Sequence, residues 1–142
     1  MKYSIEELQT AYQQLTQQQR PWIAFGGAIG GAMPAAALYV VFATMGGMYL
    51  WMLLLPAAIM GWFARFAGAP YQLKARLPVG VLAAALHLLG CWLLQLSPLA
   101  YLLAPVCAVV AMSCAKIKLS MLQQHALLQA HLGKLALPQS TR

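Results

Sequence analysis

Few side chains in this sequence could do chemistry, and the one most out of place is a histidine. His87 lies in the apolar run ALHLLG, near the midpoint of a stretch with no other ionisable group. An imidazole inside a membrane could relay protons or hold a haem. It could also be a neutral ring bonded to a carbonyl that a mid-helix proline has freed, because prolines in membrane helices leave carbonyls wanting donors. The second reading is the expectation, since no acid accompanies the ring. His125 and His131 stand neither three nor four residues apart, so a helix does not bring them together as metal ligands. Cys91, Cys107 and Cys114 fall in apolar segments without a CxxC spacing and read as small hydrophobes. No nucleophile arrangement, phosphate-cradling loop, dinucleotide fingerprint or metal set is present. We therefore expect no enzymatic activity, no cofactor and no metal.

An absence carries more information than any of these residues. There is no Asp, and the two acidic residues are Glu6 and Glu7, at the N-terminal edge. Ion-coupled pumps generally need an ionisable group within the bundle to take up and release charge. In length and span count the chain resembles the small four-helix drug exporters. That resemblance implies a membrane-embedded glutamate in the first span, where this sequence has only glycine and alanine. No residue is carried over from it.

The elements that must position these side chains are membrane helices. The 142 residues are 62% hydrophobic and 8% charged, whereas a soluble domain carries about 25% charged residues. The lipid bilayer is thus the first partner. The net charge of +7 marks segment ends and is not a nucleic-acid surface. Segment 22–43 has no ionisable side chain and is long enough to cross a ~30 Å hydrocarbon layer. Gly26 with Gly30 and Gly27 with Gly31 form two small-xxx-small pairs, and Ala35 extends the second. Such stripes let another helix approach closely, either within the chain, which is the preferred reading, or in a homo-oligomer.

Further spans are expected over 48–66, 78–96 and 98–115, so the fold class is an all-α integral membrane protein of four transmembrane helices. Pro78 and Pro98 suit helix starts. Pro34, Pro56 and Pro105 fall near mid-span and predict kinks. Amphipathic cytosolic helices flank the spans, dividing the chain into 1–20, 21–115 and 116–142. The first opens with a Ser4–Glu7 capping box and carries Ile5, Leu8, Tyr12 and Leu15 on one seam. The last carries Ile117, Met121, Leu128, Leu132 and Leu135, and no breaker separates it from the fourth span. The two seams are expected to meet each other, within the chain or between copies.

Segment 1–20 does not read as a cleavable signal peptide, so the first span is expected to serve as its own insertion signal. All nine Lys and Arg lie in the N-terminal segment, the 65–77 loop and the C-terminal segment. The positive-inside rule then puts both termini in the cytoplasm, in a bacterial inner (plasma) membrane. The functional expectation is a non-enzymatic interaction or assembly subunit, with a membrane-protein partner or a homo-oligomer. The alternative is a small oligomeric transporter or channel, its path lined by the proline kinks and His87.

Overall fold

The computed structural model describes residues 3–45, 50–133 and 135, and over these the chain is all-helical. Gly46, Gly47, Tyr49, Lys134 and the tail 139–142, for which a turn, an aromatic end and a frayed terminus are expected, lie outside the described residues. The chain forms two compact units, Arg20–Ile117 and the paired ends Met1–Gln19 with Lys118–Arg142.

In the unit of paired ends, α1 (Ile5–Gln18) starts at the Ser4 capping box. The Ser4 amide donates to Glu7 Oε2 (2.9 Å) and the Glu7 amide to Ser4 Oγ (3.2 Å). Helix α7 (Met121–His131) has its own box, with the Ser120 amide on Gln123 Oε1 (2.9 Å) and the Gln123 amide on Ser120 Oγ (3.3 Å). This S-x-x-Q signal corrects the expectation of one helix running on from the fourth span: residues 116–120 are non-helical.

The two helices pack through Leu8, Ala11 and Ala126, with Leu135 beyond the end of α7 in the same cluster, flanked by Tyr3, Tyr12, Leu122 and Ala130. The expected seam of the last helix is corrected in part, since its Leu135 does lie in this cluster. Met121, Leu128 and Leu132 are exposed, as is Ile5 on α1. Leu122, Ala126 and Ala130 recur every four residues, and the small Ala126 and Ala130 let α1 come close where bulkier side chains would hold it off.

Among the described residues, the other unit contains three helices long and apolar enough to cross a membrane, over Pro21–Phe42, Trp51–Gly68 and Leu73–Leu93. The chain is a membrane protein on that ground. Helix α2 (Pro21–Thr44) begins with its proline at the first position and runs uninterrupted through Pro34. Its buried face is Ala24, Ala28, Gly31, Ala35, Tyr39 and Phe42, at steps of three and four. A 3-10 turn (Leu50–Leu53) leads into α3 (Leu54–Gly68). Pro56 therefore lies in the first turn of α3 and not at mid-span, where its missing N–H costs no ladder bond.

Helix α4 (Leu73–Leu93) starts and ends earlier than expected. LKARL is a run of good helix formers, so the helix begins before Pro78 and carries that proline in its second turn. At its far end the Leu96 amide bonds the Cys91 carbonyl (3.0 Å) and the Gln95 amide the Trp92 carbonyl (3.3 Å). This is a Schellman closure with Gln95 in the left-handed position (φ 48°). The expected fourth helix is two pieces, α5 (Pro98–Tyr101) and α6 (Ala104–Ala115). Pro105 cannot donate to the Tyr101 carbonyl, and the chain turns at Leu102 and Leu103. Helix α6 alone is about 18 Å long, short of a ~30 Å hydrocarbon layer.

Glycines set the directions. A Cβ at Gly27 would overlap the Ala67 Cβ and the Phe63 carbonyl, and one at Gly31 would lie 3.0 Å from the Phe63 Cβ and 3.1 Å from the Met60 Cα. One at Gly68 would strike the Ala24 amide and the Arg20 carbonyl, so α2 and α3 run antiparallel. Gly80 faces Ala108 and Met112 of α6, and Gly90 faces the Tyr39 ring. The core between them is Ala28, Ala35, Ala57, Met60, Ala64, Val79, Ala83, Cys107, Ala111 and Ala115. One end of this bundle holds Arg20, Arg65, Lys74, Arg76 and Lys116; the other, at Thr44, Leu50–Leu53 and 94–97, holds no Lys, Arg, Asp or Glu.

Candidate functional site

The uncharged end closes around His87. With α4 ending at Leu93, the ring sits roughly 9 Å from the helix end and not at mid-span. It is fully buried. Helix α4 buries Ala75, Val79, Ala83, His87 and Cys91 at four-residue steps, which aims the imidazole between α2 and α5. Gly90, one turn on, leaves room for the Tyr39 ring, 3.3 Å from where its Cβ would be. Tyr39 reaches the pair because it lies one helical turn beyond Ala35 on the buried face of α2.

The partners fix the tautomer of a neutral ring. His87 Nε2 is 2.8 Å from the Ala100 carbonyl oxygen, and Nδ1 is 2.8 Å from the Tyr39 hydroxyl. A carbonyl can only accept, so Nε2 donates to it; in the neutral ring Nδ1 is then the acceptor and the Tyr39 hydroxyl donates to it. The neutral ring is thereby satisfied at both nitrogens. Cys91 Sγ lies 3.5 Å from Nε2, and the Cys107 thiol donates to the Leu53 carbonyl (3.8 Å). Leu53 and Ala100 belong to the same buried cluster, with Leu86, Leu94, Leu96, Tyr101 and Leu103 around them.

The Ala100 carbonyl is available because α5 breaks after Tyr101. It accepts the Leu103 amide at 3.1 Å in a tight turn, and its second lone pair goes to His87. The arrangement ties α2, α4 and α5 together. It has no acid, no open ring nitrogen and, among the described residues, no group of His, Cys, Asp or Glu able to hold a metal.

The other singled-out residues separate. Gly27 and Gly31 pack within the chain on α3, whereas nothing lies within 4 Å of a Cβ at Gly26 or Gly30. Ala35 is in the core. Pro34 and Pro105 are exposed and Pro56 is buried, so the prolines do not share one lining. His125 donates from Nδ1 to the Met121 carbonyl (3.0 Å) and sets its ring edge-on to Tyr3, with centroids 5.7 Å apart. Sequence reasoning missed Tyr39 and Ala100. A lone tyrosine on the small-residue face of α2 was the available signal for the first; a backbone acceptor has no signature in sequence. Comparison with protein-family models, curated proteins and solved structures finds no match to this chain.

Proposed function

We propose that the chain is a non-enzymatic interaction or assembly subunit of a membrane complex. In this reading α2, the 3-10 turn with α3, α4, and α5 with α6 make four spans. Both termini lie in the cytoplasm of a bacterial inner membrane, because every Lys and Arg of the membrane unit falls at one end of its helices. The observation that carries the reading is the exposed face of α7. Its Leu122, Ala126 and Ala130 side is taken by α1, yet Met121 and Leu128 stand exposed on the same helix, with Leu132 exposed just past its end. Burying a Leu-sized side chain is worth about 1.5–3 kcal/mol, so this stripe favours a partner. Helix α7 has no Lys or Arg, whereas a helix lying on lipid is usually rich in both; that favours a protein partner over the headgroup layer.

The transporter reading has less support, since both nitrogens of His87 are engaged and the prolines point to different surroundings. A photo-crosslinking residue at Leu128, compared with one at the exposed Gln124, tests the proposal in intact cells. A discrete adduct from Leu128 alone is expected. An adduct of twice the chain mass would identify a second copy as the partner. No adduct from either position, with a Leu128→Cys variant labelled readily by a water-soluble thiol reagent, would overturn the reading.

A further inference from the structure

The charged end of the bundle has an unsolved electrostatic problem. Arg20, Arg65, Lys74, Arg76 and Lys116 gather there, and residues 20–117 contain no carboxylate at all. Arg76 shows the consequence most clearly. It lies in the first turns of α4, half-buried, with its guanidinium turned toward the end of α6. Nη1 donates to the Met112 carbonyl at 3.3 Å and Nη2 to the Tyr71 carbonyl at 3.4 Å. Both acceptors are neutral, and both distances exceed the usual 2.7–3.2 Å range. Nε is buried and has no hydrogen-bond partner.

The Met112 carbonyl is itself an orphan of the helix end, because the Lys116 amide turns back to Ser113 (3.2 Å). Arg76 thus caps α6 with a cation, which suits the negative end of a helix dipole. That role uses part of a five-donor fork and leaves the charge without a counter-ion.

We propose that Arg76 anchors a phosphate-binding site at the charged end of the bundle, taking the phosphodiester of an anionic lipid headgroup or a free phosphate. Guanidinium pairs with phosphate through two parallel N–H bonds, and the weakly held fork of Arg76 has donors to give. Exposed Lys74 and Lys116 and half-buried Arg65 sit at the same end and add to the attraction. The level is also right for a headgroup. Trp22, Trp62 and Phe66 are exposed at this end of α2 and α3, the aromatic placement typical of a membrane–water boundary.

The test uses the full chain in dodecyl maltoside, followed by thermal unfolding with added phosphatidylglycerol, phosphatidylcholine, or inorganic phosphate against sodium chloride at matched ionic strength. Phosphatidylglycerol is expected to raise the melting temperature of the native chain, with phosphatidylcholine having less effect. Arg76→Gln removes most of that rise, and Arg76→Lys, which keeps the charge but not the fork, binds about tenfold more weakly. Lys118→Gln, outside the membrane unit, keeps the full rise. A rise with inorganic phosphate alone, lost in the same two variants, would identify a soluble phosphate as the source. Should Arg76→Gln fail to fold, Arg76→Lys decides: native-like lipid affinity in that variant overturns the proposal. Equal effects of the two lipids on the native chain would overturn it as well.

Discussion

The two ends of the membrane unit are closed by different physics. At the charged end, α2 and α3 meet through Gly27, Gly31 and Gly68, with backbone against backbone and little side chain between them. The Arg20 amide even donates across the interface to the Gly68 carbonyl at 3.1 Å. At the uncharged end the helices are irregular, with a 3-10 turn before α3 and a break between α5 and α6. There the gap is filled by Tyr39, Leu53 and Cys91, and side-chain donors from His87 and Cys107 reach the carbonyls of Ala100 and Leu53. Within a regular helix the backbone groups pair internally, so small residues suffice where α2 and α3 cross, and Arg76 serves the helix-end carbonyl of Met112. Broken helices expose carbonyls, and each one buried away from water needs a donor.

The difference is broken most severely at the glycines. Gly68→Ala should cost about 3 kcal/mol, because the added methyl meets the Ala24 amide and the Arg20 carbonyl, neither of which can turn aside. Gly61→Ala should behave alike, since its Cβ would meet the Ala111 carbonyl of α6. Gly26→Ala and Gly30→Ala, with nothing within 4 Å, should be neutral or gain up to about 1 kcal/mol from helix propensity. Unfolding in mixed detergent measures all four. Equal losses at Gly26 and Gly68 would show that the outer stripe is also an interface.

At the uncharged end the expected cost is smaller and chemical in kind. His87→Leu strands the buried Tyr39 hydroxyl and takes one partner from the Ala100 carbonyl, for about 2–3 kcal/mol. His87→Gln keeps a donor for the carbonyl and should lose less. Adding Tyr39→Phe to His87→Leu removes the stranded hydroxyl, so the double variant should recover about 1 kcal/mol over additivity. Strict additivity would mean that the hydroxyl and the imidazole do not act together.

Legibility followed the same division. The first span, the pairing potential of Gly27 and Gly31, and the Ser4 box follow from periodicity and local chemistry, which sequence displays directly. Which glycine pair faces inward could not be read, because it depends on the rotation of α2 about its axis. That rotation belongs to the whole buried face, which runs from Ala24 through Ala35 to Tyr39 and Phe42. The prolines misled because a proline marks a break without saying whether it lies inside a helix, as Pro34 and Pro78 do, or just after one begins, as Pro56 and Pro105 do. The seam of α7 misled because that helix is apolar on two sides, and the larger side chains are on the exposed one.

The smallest effect compares how a helix stops at each end. Helix α3 stops at the charged end on Ala69 (φ 43°), and α4 stops at the uncharged end on Gln95 (φ 48°). Neither residue is glycine, the type that takes a left-handed position without steric cost. Gln95→Gly should therefore stabilise by about 0.5–1 kcal/mol, and Ala69→Gly by a similar amount. The sequence has a glycine beside Ala69, and it occupies the wrong position for the stop. Gly68 is helical, pressed against Ala24 and Arg20, where no side chain fits. Exchanging the two residues, Gly68→Ala with Ala69→Gly, relieves the left-handed alanine and blocks the close approach. The exchange should destabilise, by an amount near the Gly68→Ala loss less the Ala69→Gly gain. A net gain would show that the α2–α3 contact at this end yields more easily than its geometry indicates, and the contrast between the two ends would fall with it.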